Sequence, residues 1–286
     1  MERSAEKPKV SIIMPTYNSE STLSECLESV LNQSYPFYEV IVVDNFSNDE
    51  TVKIAEKFKV RVIQRKCNPA VARNVGIINS TGKYVLFLDS DQVLSASVIG
   101  ECVEKCENER VGMVHIPEVF IGRGFWGSCS AVWKNYYTAV KSANDAMGGF
   151  VLSEPRFFIK EHIKNTGMLD ANLLWGEDYE LYSRLKKMGI KEVMCKSKIY
   201  HYEPASVKNL LVKNFRYGES MPTFMQQTSK QVVPLLFQNA LLTFRKILRD
   251  FKKSPTIIAG CAVLLYLKTC SMMIGLMSGF IGRLLK

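Results

Sequence analysis

The chain has 286 residues, 47% of them hydrophobic, which excludes a disordered polypeptide and suits one large domain or one domain with a helical extension. A net charge of +9 points to an acidic partner: nucleic acid, anionic lipid or a phosphorylated substrate. The eight cysteines are scattered with no C-x-x-C pair, so they read as reduced, mostly buried thiols of a cytosolic compartment rather than a disulfide framework. Cys102 and Cys106, one helical turn apart, suit a metal or a helix face, and the helix face is the simpler reading. The polar start MERSAEKPKV carries no signal-peptide pattern.

Residues 9–16, KVSIIMPT, form an apolar strand that runs into a Pro-Thr-Tyr-Asn turn, and helix signals follow from Ser19 to about Asn32. YEVIVVD (38–44) is a second buried strand ending in an acid. SNDE (47–50) fits a capping box with Ser47 as N-cap and Glu50 three residues on, ahead of the helix TVKIAEKF. RVIQR (61–65) is a third strand, NPAVARNVGIINSTG (68–82) a helix closed by Gly82, and YVLFLDSD a strand ending in two carboxylates. Alternating strands and helices joined by short turns predict βαβ units and a mainly parallel sheet. Ligands of such sheets bind beyond the carboxyl ends of the strands, where Asp44, Asp89 and Asp91 lie.

The middle, about 110–170, is less regular. GRGFWGSCSAVW (122–133) mixes glycines with aromatics, and residues 146–170 hold a Gly-Gly turn, a short apolar piece and a helix. WGEDYELYSRLKKMG (175–189) carries a helical apolar stripe and is stopped by Gly189. KIYHYEP (198–204) is a short strand ending in His201 and Glu203. From about residue 206 the chain becomes basic, aromatic and helical. Residues 231–253 are amphipathic with late cations, and 254–282 are nearly uncharged apart from Lys268. These features divide the chain into an α/β domain, 1–205, and a helical membrane-association region, 206–286. Lys268 makes a simple span costly, whereas Gly260, Gly275, Gly279 and Gly282 permit close helix packing or a turn. Interfacial or partly inserted helices are the favoured reading, with a true span the alternative.

Each acid has an ordinary explanation. A D-x-D at a strand end suits Mg²⁺ or Mn²⁺, but a lone one is more often a turn. Asp44 suits a turn cap, and Glu177-Asp178 complements a helix dipole. His201 and Arg73 pass as surface residues. Their joint order and spacing, however, resemble family 2 glycosyltransferases, inverting enzymes of the GT-A fold that use nucleotide-sugars. The resemblance is carried by VSIIMPTYN (10–18), VIVVDNFSNDET (40–51), ARNVGI (72–77), FLDSDQ (87–92), GEDYELYSRLKKMG (176–189) and YHYEP (200–204).

It implies that Pro15, Thr16 and Tyr17 line a nucleobase pocket, with Glu20 near the nucleoside and Asp44 on the base. Arg73 is implied near the nucleotide or its phosphates, Asp89 near the ribose, and Asp91 on a Mg²⁺ or Mn²⁺ ion with His201 beside it. Asp178 is the implied catalytic base, and Glu177 and Arg216 are candidates for contact with acceptor or phosphate. Asn45 stands where the family often has a second Asp: it keeps an acceptor and loses a charge. FRYGES (215–220) resembles a motif of relatives that act on polyprenyl-linked acceptors.

The expected partners are a UDP- or GDP-sugar, a lipid-linked acceptor and the cytoplasmic face of the cell membrane. Nucleic acid is disfavoured because the cations gather near the apolar tail. A phosphate acceptor hardly needs a base, so the Asp of the GED motif suits a hydroxyl acceptor better. A polyprenyl-phosphate monoglycosyl synthase, a nucleotidyltransferase and a non-catalytic sugar-nucleotide-binding protein stay open as alternatives. A dehydrogenase is disfavoured by the missing G-x-G-x-x-G.

Overall fold

The computed structural model describes residues 7–145, 155–173, 175–227, 232–250 and 254–284. In chain order the elements begin with β1 (Val10–Thr16), α1 (Leu23–Leu31), β2 (Tyr38–Asp44), α2 (Thr51–Lys57), β3 (Arg61–Gln64), α3 (Pro69–Asn79) and β4 (Tyr84–Phe87). They continue with β5 (Gln92–Leu94), α4 (Val98–Glu109), β6 (Met113–His115), β7 (Glu118–Gly122), α5 (Gly124–Asp145), β8 (Phe157–Ile159), α6 (Lys160–Asn165) and α7 (Glu177–Lys187). The last are β9 (Glu192–Met194), β10 (Ile199–Glu203), α8 (Val207–Gln227), α9 (Val232–Asp250) and α10 (Pro255–Leu284).

Seven strands form one sheet in the order β3-β2-β1-β4-β8-β6-β9. The pairs among β1, β2, β3 and β4 are parallel, and only β8 runs antiparallel to its neighbours β4 and β6. A three-stranded sheet has the order β5-β10-β7. The mainly parallel α/β architecture read from the alternation is therefore present. β1 and β2 are continuous apolar runs because both faces are covered. On one face Val10, Ile12, Met14, Val40 and Val42 join a core with Leu23, Leu27 and Val30 of α1. On the other, Ile41 and Val43 pack with Ala72 and Val75 of α3. Full burial of each such side chain stabilises by about 1.5–3 kcal/mol. Gly76 of α3 lies directly over Ile13, whose side chain occupies the space a Cβ would need.

Three local expectations are corrected. Ser47 is not the cap of α2, which starts at Thr51 with Glu50 before it. Ser47 instead donates to Asp44 through both its backbone N and its Oγ, at 2.9 and 2.5 Å. Gly82 does not close α3, which ends at Asn79 with Ser80 extended. A Cβ there would sit 2.7 Å from the carbonyl oxygen of Lys9, so glycine is required by the close approach to β1. The stretch 122–133 is not irregular: most of it opens the 22-residue α5. The Gly148-Gly149 turn lies outside the described residues.

Contacts group the chain into two compact units. The first is Met1–Glu118, Glu154–Ala171 and Leu181–Tyr200, and the second is Val119–Ser153, Asn172–Glu180 and His201–Lys286. In the second, α10 lies along α8 so closely that Gly218 of α8 meets the backbone of Met272, and Gly275 and Gly279 meet that of Phe215 and Glu219. A Cβ on Gly260 would be 2.6 Å from Cys129 Sγ of α5. The expected close-packing role holds for these glycines and not for Gly282, which has nothing within 4 Å of where a Cβ would sit. α10 runs unbroken, so none of them makes a turn. Lys268 is not left in an apolar surround, because its Nζ donates to Ser130 Oγ of α5 at 2.7 Å. By length and composition α10 is apolar enough over Pro255–Gly282 to cross a membrane. Its outer face exposes Tyr266, Ile274, Met277 and Phe280.

Candidate active site

In the first unit the loops after β1 and β2 are knitted together by side chains. Asn18 N donates to Ser47 Oγ at 2.9 Å, and Asn48 N donates to Asn18 Oδ1 at 3.0 Å. Glu20 N donates to Asp49 Oδ2 at 3.1 Å, and Glu20 Oε2 accepts from Glu50 N at 3.1 Å. Asn18 and Phe46 both take left-handed backbone, φ 50° and 51°, which turns each loop away from its strand. Thr16 is buried, Pro15 half-buried and Tyr17 exposed, so the predicted base-pocket residues mark one strand end.

Asp44 is fully buried at the end of β2. Its oxygens accept from Thr16 Oγ1 at 2.9 Å, from Ser47, and from Gln64 Nε2 at 3.5 Å. Four hydrogen bonds thus already engage its two oxygens, the Gln64 contact being the longest. Asn45 keeps the acceptor that its residue type promised: its Oδ1 accepts from Cys67 N at 2.9 Å and ties the β2 end to the loop before α3.

The turn after β4 holds the two acids. Asp89 Oδ1 accepts from Arg73 Nη2 at 2.9 Å, and Oδ2 accepts from Arg156 Nη1 at 3.2 Å. Arg73 is buried beneath Asp89, its guanidinium 5.5 Å from the Phe87 ring centroid, so its contact here is the carboxylate. Asp89 N donates to Gln92 Oε1 at 2.9 Å, and Gln92 N donates to Asp89 O at 3.0 Å. Arg156 also reaches Glu118, Nε to Oε1 at 3.1 Å. Sequence reasoning missed Arg156, Glu118 and Gln92. Gln92 lay inside the FLDSDQ stretch, whereas nothing local marks Arg156.

In the second unit Trp175 and Gly176 precede α7. Gly176 has φ +79°, and Phe224 of α8 fills the space a Cβ would take. Trp175 packs on Tyr217 and Phe224, with ring centroids 5.7 and 4.8 Å apart. The GED stretch is thus shaped by α8, whose Arg216, next to Tyr217, is exposed. Glu177 is buried and Asp178 half-buried, both in the first turn of α7, where the helix N-terminus favours negative charge. On β10, His201 is buried with its ring 5.1 Å from that of Phe120. Glu203 is buried too, accepting from Ser130 Oγ at 2.6 Å and paired with Lys134. Burial raises its pKa, but the Lys134 ammonium and these hydrogen bonds outweigh that and leave it below the usual carboxylate range.

Residues 11–165 match the family described as Glycosyl transferase family 2. The chain belongs to glycosyl transferase family 2.

This glycosyltransferase is 31% identical over 191 residues to the Escherichia coli UDP-Glc:alpha-D-GlcNAc-diphosphoundecaprenol beta-1,3-glucosyltransferase WfaP, covering 64% of this chain and 72% of that one. It is 41% identical over 101 residues, 32% of its length, to a poly(ribitol-phosphate) beta-glucosyltransferase of Bacillus spizizenii, of which the match covers 16%. Its fold is shared with the mannosyltransferase PcManGT of Pyrobaculum calidifontis, solved with GDP-Man and Mn²⁺. The TM-score is 0.62 at 17% identity, over 98% of this chain and 88% of that one. The expected family and GT-A architecture are therefore established. The family match reaches Asp91 and Arg156 and stops before Asp178 and His201.

A divalent ion fits the glycosyltransferase's residues as a shared guest. Among the described residues no three His, Cys, Asp or Glu side chains gather into a metal site. Asp89 has both oxygens on guanidinium groups. Half-buried Asp91 would offer a hard oxygen, and Mg²⁺ or Mn²⁺ commonly completes such a shell with phosphate oxygens and water.

Proposed function

We propose that the chain moves a sugar, with inversion, from a UDP- or GDP-sugar to a hydroxyl of a lipid-linked acceptor at a membrane surface. The observation that carries this reading is the turn after β4. It sets two carboxylates at the carboxyl end of the parallel strands, with Asp89 held by two arginines. In this reading Pro15, Thr16, Tyr17 and Glu20 bound the nucleoside, and Asp44 stiffens that wall. Asp89 accepts hydrogen bonds and faces the ribose, while Asp91 and His201 would hold the metal. When bound, Mg²⁺ or Mn²⁺ offsets the charge that develops on the leaving diphosphate.

Asp178 takes the proton of the attacking hydroxyl. It is half-buried in the first turn of α7. One base without a covalent intermediate gives inversion. Glu177 and Arg216 are assigned to acceptor or phosphate contact. A lipid-linked acceptor is supported by the WfaP relative, whose name specifies a diphosphoundecaprenol substrate. It is also supported by the exposed apolar face of α10, which suits the interface of a bilayer with residues 206–286 as the attachment region.

The test is transfer of radiolabelled sugar from a panel of UDP- and GDP-sugars into the organic phase of a membrane lipid extract, with and without chelator. The reading expects lipid-phase label from at least one donor, lost with chelator and restored by Mn²⁺ or Mg²⁺. Label confined to a water-soluble product, or undiminished with chelator, contradicts it.

A further inference from the structure

We infer that Arg156 is a positioning residue of the donor site, holding the turn that carries Asp91; this rests on the donor-site reading above. Four side chains close a ring. Arg156 Nη1 donates to Asp89 Oδ2 at 3.2 Å, and Asp89 N donates to Gln92 Oε1 at 2.9 Å. Gln92 Nε2 donates to Glu118 Oε1 at 3.4 Å, and Glu118 Oε1 accepts from Arg156 Nε at 3.1 Å and pairs with Nη2 at 3.0 Å. The turn inside the ring is closed by Gln92 N to Asp89 O at 3.0 Å. Both its first and last residues are therefore pinned by side chains, and Asp91 is its third residue.

The chemistry calls for an arginine. Its planar fork serves two carboxylates at once, Asp89 on one edge and Glu118 on the other, and a lysine's single ammonium cannot keep both contacts. Arg156 and Gln92 are buried and Asp89 and Glu118 half-buried, so water has limited access to replace a partner lost at the arginine. Arg73 separately holds the other oxygen of Asp89, and that contact survives if Arg156 is changed. What Arg156 adds is the link through Glu118 to Gln92, the far end of the turn. Its loss removes one of the two guanidinium contacts of Asp89 and the ion pair that steadies Glu118 against Gln92, so the turn carrying Asp91 is held less firmly and its hold on a metal-bound diphosphate weakens. Base and ribose contacts, carried by other loops, are left in place.

The experiment compares wild type, Arg156→Lys and Glu118→Gln, which change the two partners of the ring's ion pair and conserve charge or shape. Calorimetry measures uridine diphosphate and guanosine diphosphate binding with Mn²⁺ and with chelator, beside thermal denaturation. Loss of a group that orients a metal ligand typically costs about 10- to 100-fold in metal affinity. Both variants are expected to lose roughly that much of the Mn²⁺-dependent affinity, with binding in chelator little changed. Wild-type Mn²⁺-dependent affinity in both variants overturns the inference. So does an equal loss with and without metal that follows a fall in melting temperature, because that marks a merely structural arginine. If wild-type protein binds neither nucleotide, the donor-site reading itself fails.

Discussion

Asp89 and Asp91 stand two residues apart in the turn after β4. Asp89 has a guanidinium on each oxygen, so it orients and accepts. Asp91 is the acid assigned to the ion. Asp91→Asn is therefore expected to abolish the Mn²⁺-dependent part of donor binding, read by calorimetry, and to leave metal-free binding near wild type. Equal Mn²⁺ enhancement in the variant would move the ion elsewhere. The D-x-D was legible from the sequence because both acids end one apolar run. The pair of guanidinium contacts on Asp89 was not, since one comes from Arg156, a residue 67 positions away. Asp44 was likewise legible as a strand-end acid, whereas its saturation by Thr16, Ser47 and Gln64 required the strands to be side by side.

At the scale of elements, β1 to β4 and their helices were legible because buried parallel strands are continuous apolar runs and turns interrupt them. α5 was not, because Gly122, Gly124 and Gly127 resemble a loop; Gly127 is small because the Glu203 and Pro204 backbone lies 3.0–3.1 Å from where its Cβ would be. The edge of the large sheet carries a pH-sensitive clasp. Glu192 of β9 accepts from His115 Nε2 at 2.9 Å, Lys186 Nζ at 2.6 Å and Tyr182 OH at 3.2 Å. Burial raises its pKa, but the hydrogen bonds from His115, Lys186 and Tyr182 outweigh that and bring it to about 2. The folded pKa lies below the unfolded value of about 4.3, so the stabilisation is complete above that pH and is lost as the pH falls from about 4.3 to about 2. Glu192→Gln should lower urea stability at neutral pH and flatten its acid dependence over that window; an unchanged slope would remove the clasp. Gly275 offers a second test. A methyl group there collides with the Phe215 backbone, and such overpacking costs about 1–3 kcal/mol, so Gly275→Ala should lower the denaturation midpoint.

For the whole molecule, the sequence showed an apolar tail but could not say which side of it packs. The glycines turn one face of α10 onto α8, and Lys268 is taken up by Ser130. Tyr266, Ile274 and Met277 are left outward. Ile274→Glu with Met277→Glu should abolish sedimentation with anionic vesicles and keep the melting temperature, since neither side chain is buried. Vesicle binding equal to wild type would detach the face from the membrane. The central claim is that Asp178 is the base of a sugar transfer to a hydroxyl. Its direct measurement is the transfer rate of Asp178→Asn at saturating donor and lipid extract, against wild type. Asn keeps the shape and can still serve the helix start, so stability should fall by at most about 1 kcal/mol. Removing a general base typically costs about 10²- to 10⁴-fold, and a loss of that size with unchanged donor affinity is the predicted result. Near-normal transfer by Asp178→Asn would contradict the account.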